Sequence, residues 1–481
     1  MTLYLVGCIG LALHRLLETF WHYLQYRVPR RCADIRPIAG ELPMITVQLP
    51  VYNEFYVVER LIDGCCALDY PKDRLEIQVL DDSTDATTEL IARMVAHYVA
   101  NGVDIKHLRR GDRTGFKAGN LQHGLKTAKG AFVAIFDADF VPDRNFLFRT
   151  LPYFQDPAIG IVYPRFVRHR NRNRSLLTRA QDPHGGLPRG RRDLDYYYTT
   201  RFFSFFFGSP GLLRTSCLLD VGGWQGDTVC EDADFSVRSY LKGWRCVLVD
   251  ERLSSDDVLE RIDEIKHQYT RWKTGNAECY RKHLGEVIRN GTIAPLEKLA
   301  LFAALHAPWL YVPSIAILAI ASVPLVFRPE GGWASQVALV IPSLIISLWF
   351  VIVIAKGQAI MVVSMFLQIG LHPRVTWGII KGLLGIHSPF VRSTKLNRDT
   401  GASHATAAPL YPVRVTPSIL LEFGLALYFL FGIYWGVRLG NYWLLPFHLL
   451  CMCSFGFVFV TSVREVLAGI RRSDRRGLLE A

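Results

Sequence analysis

The sequence predicts an α/β domain with a mostly parallel, mixed sheet, joined to a helical membrane region. Half of the 481 residues are hydrophobic and the mean hydropathy is positive, which is unusual for a purely soluble protein. Short strand-like runs alternate with helical patterns up to residue 295, and long apolar blocks fill the last third. Such alternation is typical of a parallel sheet covered by helices. We therefore expect two architectures in one chain.

The chain begins with an apolar stretch, residues 3–24, that is long enough to cross a bilayer. His14 and Arg15 lie near its middle, where charge is costly. Residues 1–26 are therefore predicted to be a membrane span or, alternatively, an interfacial helix. Because no basic segment precedes the apolar run, we interpret it as an anchor rather than a cleaved signal.

Residues 27–295 are predicted to form the soluble α/β domain. Apolar residues between Leu90 and Val99 recur at helical spacing, so the second and third strands are expected to be joined by a helix. Ligands of such sheets gather at the carboxyl ends of the strands. The predicted strands are Ile45–Val51, Glu76–Leu80, Ala131–Phe136, Ile159–Tyr163 and Arg245–Val249.

Residues 296–465 are predicted to form the membrane region. The short block at 357–371 leads into a basic stretch, so 357–416 is interpreted as an interfacial helix and loop. About four spans remain, followed by a basic tail at 466–481. The apolar blocks are Leu299–Phe327, Ser335–Ala355, Gly357–Leu371, Ser418–Val437 and Tyr442–Val463.

The formal net charge of +12 indicates a membrane rather than nucleic acid as the partner, because Lys and Arg cluster beside apolar segments at 27–31, 381–398 and 471–476. The positive-inside rule places these stretches and the α/β domain in the cytosol. We expect an integral protein of the plasma or inner membrane. The ten cysteines lack zinc-ligand spacing and are predicted to be reduced.

Two carboxylates, Asp137 and Asp139, follow the predicted strand at 131–136 with one residue between them. Residues two apart on a strand face the same side, so both can point into one cleft. Oxygen ligands of this kind suit Mg²⁺ or Mn²⁺. The alternative is capping of a helix opened by Pro142 and Asp143.

Other strand ends also carry acidic side chains. Glu54 follows the first strand and Asp82 the second, which together predict a nucleotide site, although each can equally be a turn or cap. The segment GFKAGNL adds glycines that let the backbone approach a phosphate, and Lys117 supplies a positive charge. A plain helix N-terminus is the alternative for this segment.

Two helical segments carry further candidates. Glu231 and Asp232 stand immediately before a helical pattern, so catalysis and helix capping both explain them. Gln268, Arg271 and Trp272 lie at i, i+3 and i+4 on one helix face. An indole beside a guanidinium suits a sugar next to a diphosphate; a helix anchored at a membrane surface is the alternative.

In this order, the motifs resemble those of the membrane-embedded, processive family 2 glycosyltransferases, such as cellulose synthases and cellulose-synthase-like glucomannan synthases. The resemblance covers nearly the whole chain. Its motifs are VQLPVYNE (Val47–Glu54), VLDDSTD (Val79–Asp85), GFKAGNL (Gly115–Leu121), IFDADF (Ile135–Phe140), the Glu231–Asp232 pair, QYTRW (Gln268–Trp272) and HSPFVRSTK (His387–Lys395).

The resemblance implies a GT-A domain that binds a nucleotide sugar. Asp137 and Asp139 are expected to hold Mn²⁺ or Mg²⁺, and Asp232, with Glu231 beside it, to act as the catalytic base. The residues expected to bind the nucleotide sugar are Glu54, Asp82, Lys117, Asp137, Gln268, Arg271 and Trp272.

The implied function is inverting, processive synthesis of a β-linked glucan, mannan or glucomannan, with passage of the growing polysaccharide acceptor across the bilayer. UDP-glucose is the favoured donor and GDP-mannose the other. One alternative is single addition of a sugar to a lipid acceptor. A non-catalytic membrane scaffold of the same fold is another.

Three segments depart from the family pattern. Cys230 stands where the family usually has threonine before the Glu231–Asp232 pair. Residues Gln181–Tyr198 have the glycine, proline and arginine content of a loop rather than of the expected acceptor-side helix. Residues Phe205–Arg214 resemble the cellulose-synthase form of the acceptor-contacting segment rather than the glucomannan form.

Overall fold

The computed structural model describes residues 40–168, 175–181, 205–256, 259–327, 359–386 and 417–480, together with single residues at 38, 203, 348, 351, 352 and 356 and some of those between 3 and 16. The predicted acceptor-side segment beyond residue 181, most of the apolar block at 335–355, and the HSPFVRSTK motif at 387–395 lie outside these residues.

An eight-stranded sheet forms the centre of the α/β part, with strand order β3-β2-β1-β4-β7-β6-β8-β5. The pairs β1–β2, β2–β3, β1–β4 and β6–β8 are parallel, and the pairs at β7 and β5 are antiparallel. The strands are β1 (Ile45–Val51), β2 (Leu75–Asp81), β3 (Ile105–Arg109), β4 (Phe132–Ile135), β5 (Val141–Pro142), β6 (Ile159–Arg168), β7 (Gly211–Arg214) and β8 (Arg245–Asp256).

The chain runs outward from β1 to β2 and β3 and then returns to β4 on the other side of β1. Adjacent connections therefore diverge at β1 and β4, which opens a crevice at the carboxyl ends of these two strands. Both strands are fully or almost fully buried on both faces, as expected of the centre of a parallel sheet. The crevice is the place where the acidic strand ends meet.

Helices cover both faces of this sheet. The helices up to residue 289 are α1 (Val58–Cys66), α2 (Thr87–Ala100), α3 (Phe116–Leu125), α4 (Phe146–Thr150), α5 (Leu176–Gln181), α6 (Thr215–Asp220), α7 (Glu231–Leu241) and α8 (Ile262–Arg289), of which α5 and α8 pack against the apolar C-terminal helices instead. One buried apolar cluster packs α1, α2 and α4 on one face, and a second packs α3, α6 and α7 on the other. The second face carries the helices nearest to the crevice.

The prediction of one helix between the second and third strands was incomplete. The structure inserts β3 and α3 between α2 and β4. The sequence of β3, IKHLR, has its first residue buried and its last exposed, because β3 lies at the sheet edge. An edge strand with charged side chains lacks the apolar run by which the other strands are recognised. The five predicted strands are all present, with bounds shifted by up to several residues.

The apolar C-terminal part contains α9 (Pro295–Leu325), α10 (Ala359–Gly370), α11 (His372–Leu384), α12 (Pro417–Arg438) and α13 (Leu445–Glu480). Among the described residues, α12 and the 445–469 part of α13 are long and apolar enough to cross a membrane. The pair α10 and α11, bent by 51°, counts as a third only if it is one broken span. The described residues between 3 and 16 are helical, and Tyr4 is buried against this bundle.

Candidate active site

The loop that precedes Lys117 has a backbone conformation that requires glycine. Gly115 has a φ of 72° and Phe116 a φ of 48°, both in the left-handed region, which glycine adopts without strain. A Cβ on Gly226 would lie 2.5 Å from the Cα of Gly115. The two backbones touch, so the start of α3 is held directly against the loop that leads into α7.

Lys117 connects the two acidic segments of the crevice. Its Nζ lies 2.7 Å from Oδ1 of Asp137 and 3.2 Å from Oε1 of Glu231. Burial alone would lower the pKa of Lys117, but the Asp137 and Glu231 carboxylates outweigh it and raise the pKa above its usual value. The ammonium group is therefore firmly charged. Asp137 and Glu231, which are 94 positions apart in the sequence, belong to one site.

Asp232 is the carboxylate of this site with the most altered protonation. Burial and the charge of Glu231 raise the pKa of Asp232 to about 7, against the opposing effect of Lys117 and Arg271. Its Oδ1 accepts a hydrogen bond of 2.8 Å from the backbone N–H of Ala233. A carboxylate with a pKa close to neutral is suited to remove a proton near physiological pH.

The segment from Phe206 to Ser209 joins the Asp137 turn to α7. The backbone N–H of Asp137 donates to Oγ of Ser209 at 2.9 Å, and the N–H of Phe206 donates to Oγ of Ser236 in α7 at 2.9 Å. Between them, a Cβ on Gly208 would lie 2.8 Å from Oδ2 of Asp232. This glycine has a φ of 80°. Any larger residue here would press on the Asp232 carboxylate.

Asp137 and Asp139 are not on the strand, which corrects the basis of the prediction. Strand β4 ends at Ile135, and the N–H of Phe140 donates to the carbonyl of Asp137 at 2.9 Å, so the two carboxylates lie in a turn. The alternation of side chains along a strand therefore does not place them. Both residues are half-buried, and the Asp137 carboxylate contacts Lys117.

The chemistry of these two side chains fits a divalent cation. The described residues contain no group of three or more His, Cys, Asp or Glu placed to hold a metal. Magnesium-like ions are commonly held by one or two carboxylates together with substrate phosphates. Asp137 and Asp139 fit that arrangement if the diphosphate supplies the remaining oxygens.

Arg110 is a residue of the site that sequence reasoning missed. Its Nε and Nη2 donate to the two carboxylate oxygens of Asp82 at 2.7 and 2.6 Å. It also donates to the carbonyls of Thr114 and Phe116 at 2.7 and 2.8 Å. Asp82 is therefore held in a bidentate pair that braces the turn before Lys117. Glu54 is buried at the neighbouring strand end. The sequence signal that could have identified Arg110 was the group of basic residues before the glycine-rich segment.

The Gln268–Trp272 motif lies within α8, on the other side of Asp232. Trp272 packs against Cys230 and Ala233 beside the Glu231–Asp232 pair, and the Sγ of Cys230 lies 3.8 Å from the carbonyl oxygen of Arg271. Gln268 is half-buried one turn earlier. The motif therefore borders the carboxylates rather than forming a separate surface.

After the roles proposed for them, we call Asp82, Arg110, Lys117 and Asp137 the donor end of the site, and Glu231 and Asp232 the acceptor end. Arg271 and Trp272 of α8 border the acceptor end. Lys117 joins the two ends through its contacts with Asp137 and Glu231. Of the predicted residues, the structure thus brings together Lys117, Asp137, Glu231 and Asp232.

Residues 46–218 match the family model described as Glycosyl transferase family 2, and this part of the chain has the mixed, mostly parallel sheet of the GT-A fold. A mannosyltransferase from Pyrobaculum calidifontis, solved in complex with GDP-Man and Mn2+, superposes with a TM-score of 0.57 at 21% identity and covers 80% of this chain and 100% of its own.

The chain is homologous to glucomannan 4-beta-mannosyltransferases of plants, and the predicted resemblance is confirmed. It is 35% identical to glucomannan 4-beta-mannosyltransferase 9 of Arabidopsis thaliana over 279 residues, 55% of this chain and 50% of the relative. It is 34% identical to probable glucomannan 4-beta-mannosyltransferase 7 of Oryza sativa subsp. japonica, over 67% of this chain and 54% of the relative. The chain spans about half the length of these curated relatives.

Proposed function

We propose that the chain is an inverting, metal-dependent hexosyltransferase that extends a β-linked polysaccharide from a nucleoside diphosphate sugar. The observation that supports this most directly is the Lys117 ammonium between Asp137 and Glu231, with Asp232 alongside and its pKa raised to about 7. Lys117 can thus donate charged hydrogen bonds, Asp232 can accept a proton near neutral pH, and both lie in one crevice.

The reaction follows from these positions. Asp232 accepts the proton of the acceptor hydroxyl as that oxygen attacks the anomeric carbon of the donor sugar. The bond from this carbon to the diphosphate breaks, and Lys117 stabilises the negative charge that develops on the leaving diphosphate. One direct displacement converts an α-linked donor to a β-linked product.

Asp137 and Asp139 are the proposed ligands of Mn²⁺ or Mg²⁺. When bound, the ion neutralises charge on the diphosphate oxygens. In the donor-bound state, Lys117 turns from Asp137 toward the diphosphate. At the far side, Arg271 and Trp272 offer a guanidinium and an indole to the diphosphate and the sugar. Asp82, held by Arg110, and Glu54 lie at the strand ends proposed to hold the nucleoside.

For the donor, we propose a mannosyl nucleotide such as GDP-mannose. The relatives are named as mannosyltransferases that act on glucomannan, which favours mannose over the UDP-glucose preferred from sequence alone. UDP-glucose stays a prediction to be tested beside it. The acceptor is proposed to be the growing β-linked chain.

We further propose that this is an integral membrane enzyme that passes its product along α12 and α13, helices long enough to span a bilayer. The α/β domain contacts the start of α12 and the end of α13 through α8, so both ends lie on the domain's side. The basic clusters favour the cytosol for that side. The predicted domain boundaries, 1–26, 27–295, 296–465 and 466–481, remain part of this proposal.

The test is a donor panel on washed membranes that contain the full chain. GDP-mannose, UDP-glucose and GDP-glucose are supplied with Mn²⁺ or Mg²⁺, and the products are sized and their linkages determined. The expected result is a metal-dependent β-linked polymer containing mannose, absent with the Asp232→Asn variant. Discrete lipid-sized products would instead support single addition to a lipid, and transfer from none of the donors would support a non-catalytic scaffold.

A further inference from the structure

A buried ion pair links α8 to the membrane helix α12. Nζ of Lys266 lies 2.5 Å from Oε1 of Glu422, and the two side chains are only 3% and 5% exposed. Lys266 also donates to Oγ of Ser462 in α13 at 2.9 Å, and this hydroxyl lies 3.4 Å from Oε2 of Glu422. One amine thus connects three helices that are distant in the sequence.

The first turns of α8 are held by two further polar contacts with the membrane region. Oε1 of Glu465, in α13, accepts from the backbone N–H of Ile262, the first residue of α8. A carboxylate at that position satisfies an otherwise unpaired N–H and complements the positive end of the helix dipole. Arg374 of α11 lies 3.4 Å from Asp263 and donates toward the ring of His267.

The two faces of α8 contact different parts of the molecule. On the membrane side, Thr270 and Thr274 pack against Gly378 of α11, where an added Cβ would lie 2.6 Å from Oγ1 of Thr274. On the catalytic side, a Cβ on Gly275 would lie 2.3 Å from Sγ of Cys230. Helical geometry places Lys266 on the first face and Arg271 and Trp272 on the second. One face of α8 therefore contacts the membrane helices, and the other contacts the segment next to the proposed catalytic base.

We propose that the Lys266–Glu422 pair, with Ser462, positions α8 and thereby the Arg271 and Trp272 side chains of the active site. A buried ion pair adds little net stability compared with well-packed apolar residues, whereas it can specify one register among several. Lys266 lies five residues before Arg271, about 7.5 Å along the helix axis. If α8 slid or rotated along its glycine-lined contact, Arg271 and Trp272 would be displaced by almost the same distance. This inference rests on the proposed function, because it assigns Arg271 and Trp272 to catalysis.

If the ion pair fixes the position of α8 but adds little stability, its removal should change turnover and leave the folding stability unchanged. The double variant Lys266→Met with Glu422→Met removes both charges and keeps the volume, so the protein is expected to fold at least as stably as the wild type. Its turnover is nevertheless expected to fall about 10- to 100-fold, because a displacement of about 1 Å in a catalytic group can cost that much. The reversed pair, Lys266→Glu with Glu422→Lys, is expected to recover most of the turnover.

The matched control is Lys106→Met. Lys106 makes a similar contact, 2.5 Å to the fully buried Glu76, but at the sheet edge away from the site. It is expected to lower thermal stability and to leave turnover per folded enzyme unchanged. Donor affinity, measured by binding without acceptor, is expected to fall together with kcat in the methionine double variant, because Arg271 and Trp272 are proposed to contact the diphosphate and the sugar.

Amide hydrogen exchange of residues 262–275 gives a readout that does not depend on activity. Exchange is expected to be faster in the methionine double variant and restored in the reversed pair. A methionine double variant with wild-type turnover and wild-type protection of α8 would overturn the proposal. If the wild type transfers no sugar from any donor, the proposed function fails, while the exchange result still decides whether the pair fixes the register of α8.

Discussion

At the donor end, Arg110 braces Asp82 and the turn before Lys117 through contacts made entirely along one sheet edge. At the acceptor end, Asp232 stands at the start of α7, and the helix packed beside it, α8, is held by Glu422, Ser462 and Glu465 of the apolar helices α12 and α13. The donor end is complete within the family domain matched at 46–218. The acceptor end depends on the membrane region.

Under the proposed function, this difference means that the α/β domain alone holds the donor, whereas the helices beyond it help to align the base. A site that receives a soluble nucleotide sugar needs only a rigid crevice, which the parallel sheet supplies. An enzyme with the proposed function must also keep its base aligned with the helices along which the polymer would move. Variants at the two ends should therefore fail in different ways: donor-end variants by weakened donor binding and charge stabilisation, and acceptor-end variants by lost turnover with donor binding intact.

Replacement of Asp232 is expected to have the largest effect. Asp232→Asn keeps the shape but removes the proton acceptor, so kcat should fall by about 10²- to 10⁴-fold. Donor affinity should hardly change, because the nucleotide is bound at the other end. Initial rates with saturating donor, and donor binding by calorimetry, test this. A variant that lost donor affinity and kept kcat would contradict the division between the two ends.

Replacement of Lys117 tests the link between the ends. Lys117→Met removes the ammonium that contacts Asp137 and Glu231, and it should reduce kcat by about 10²- to 10³-fold, as expected for loss of one charge-stabilising donor. Unlike Asp232→Asn, it should also weaken donor binding, because the lysine is proposed to contact the diphosphate. Lys129→Met, at an exposed lysine paired to Asp104, is the matched control.

Asp234 supports the acceptor end and should mainly affect stability. It is fully buried and accepts hydrogen bonds from His283 and Arg238 at 2.7 and 2.8 Å, with Lys282 at 2.7 Å. Asp234→Asn leaves the guanidinium of Arg238 without its buried counter-charge and removes one of the two carboxylates that contact Lys282, so the free energy of unfolding should fall by about 3–5 kcal/mol. The exposed pair of Asp156 and Arg245 is the control, because Asp156→Asn should cost at most about 1 kcal/mol.

The same carboxylate predicts a pH dependence of stability. Burial alone would raise the pKa of Asp234, but His283, Arg238 and Lys282 outweigh it and hold the pKa well below its usual value. The stabilisation is therefore complete above the unfolded-state pKa of about 4 and is lost as the pH falls below it. Acid unfolding followed by circular dichroism should show this slope in the wild type and a reduced one in Asp234→Asn.

The pH profile of activity tests the coupling between the two ends more finely. With the pKa of Asp232 at about 7, kcat/KM should fall roughly tenfold per unit as the pH drops below that value, because the protonated carboxyl is no base. The charge of Glu231 raises this pKa and that of Lys117 lowers it. Glu231→Gln should therefore move the acid limb to lower pH, and Lys117→Met to higher pH. A limb unmoved by both would contradict the coupling.

The sequence predicted the local features of both ends but not the long-range contacts that support them. Local signals led to these residues: an acidic pair after a buried strand to Asp137, the glycine-rich segment to Lys117, and an acidic pair before a helical pattern to Asp232. The i, i+3, i+4 spacing in α8 led to Arg271 and Trp272. Arg110 was missed because a basic residue in a loop does not reveal its partner. The Lys266–Glu422 pair spans 156 positions, a distance at which only the packed structure shows which charges meet. Strand β3 lies at the exposed edge of the sheet, so it carries charged side chains and lacks the apolar run that predicts a buried strand.

Cys230, where the family pattern predicts threonine, should give the smallest effect. Its Sγ lies 3.8 and 3.9 Å from the carbonyl oxygens of Arg271 and Trp272, positions at which a threonine hydroxyl can donate a stronger hydrogen bond. Since such a bond contributes about 0.5–1.5 kcal/mol net, Cys230→Thr should change turnover by less than about tenfold.

Gly275→Ala presses on the same contact from the other side, where its Cβ would lie 2.9 Å from the backbone nitrogen of Cys230. Backbone cannot yield as a side chain does, so Gly275→Ala should lower kcat far more than Cys230→Thr. Equal effects would mean that the chemistry of residue 230, rather than the distance of α8 from Asp232, sets the rate.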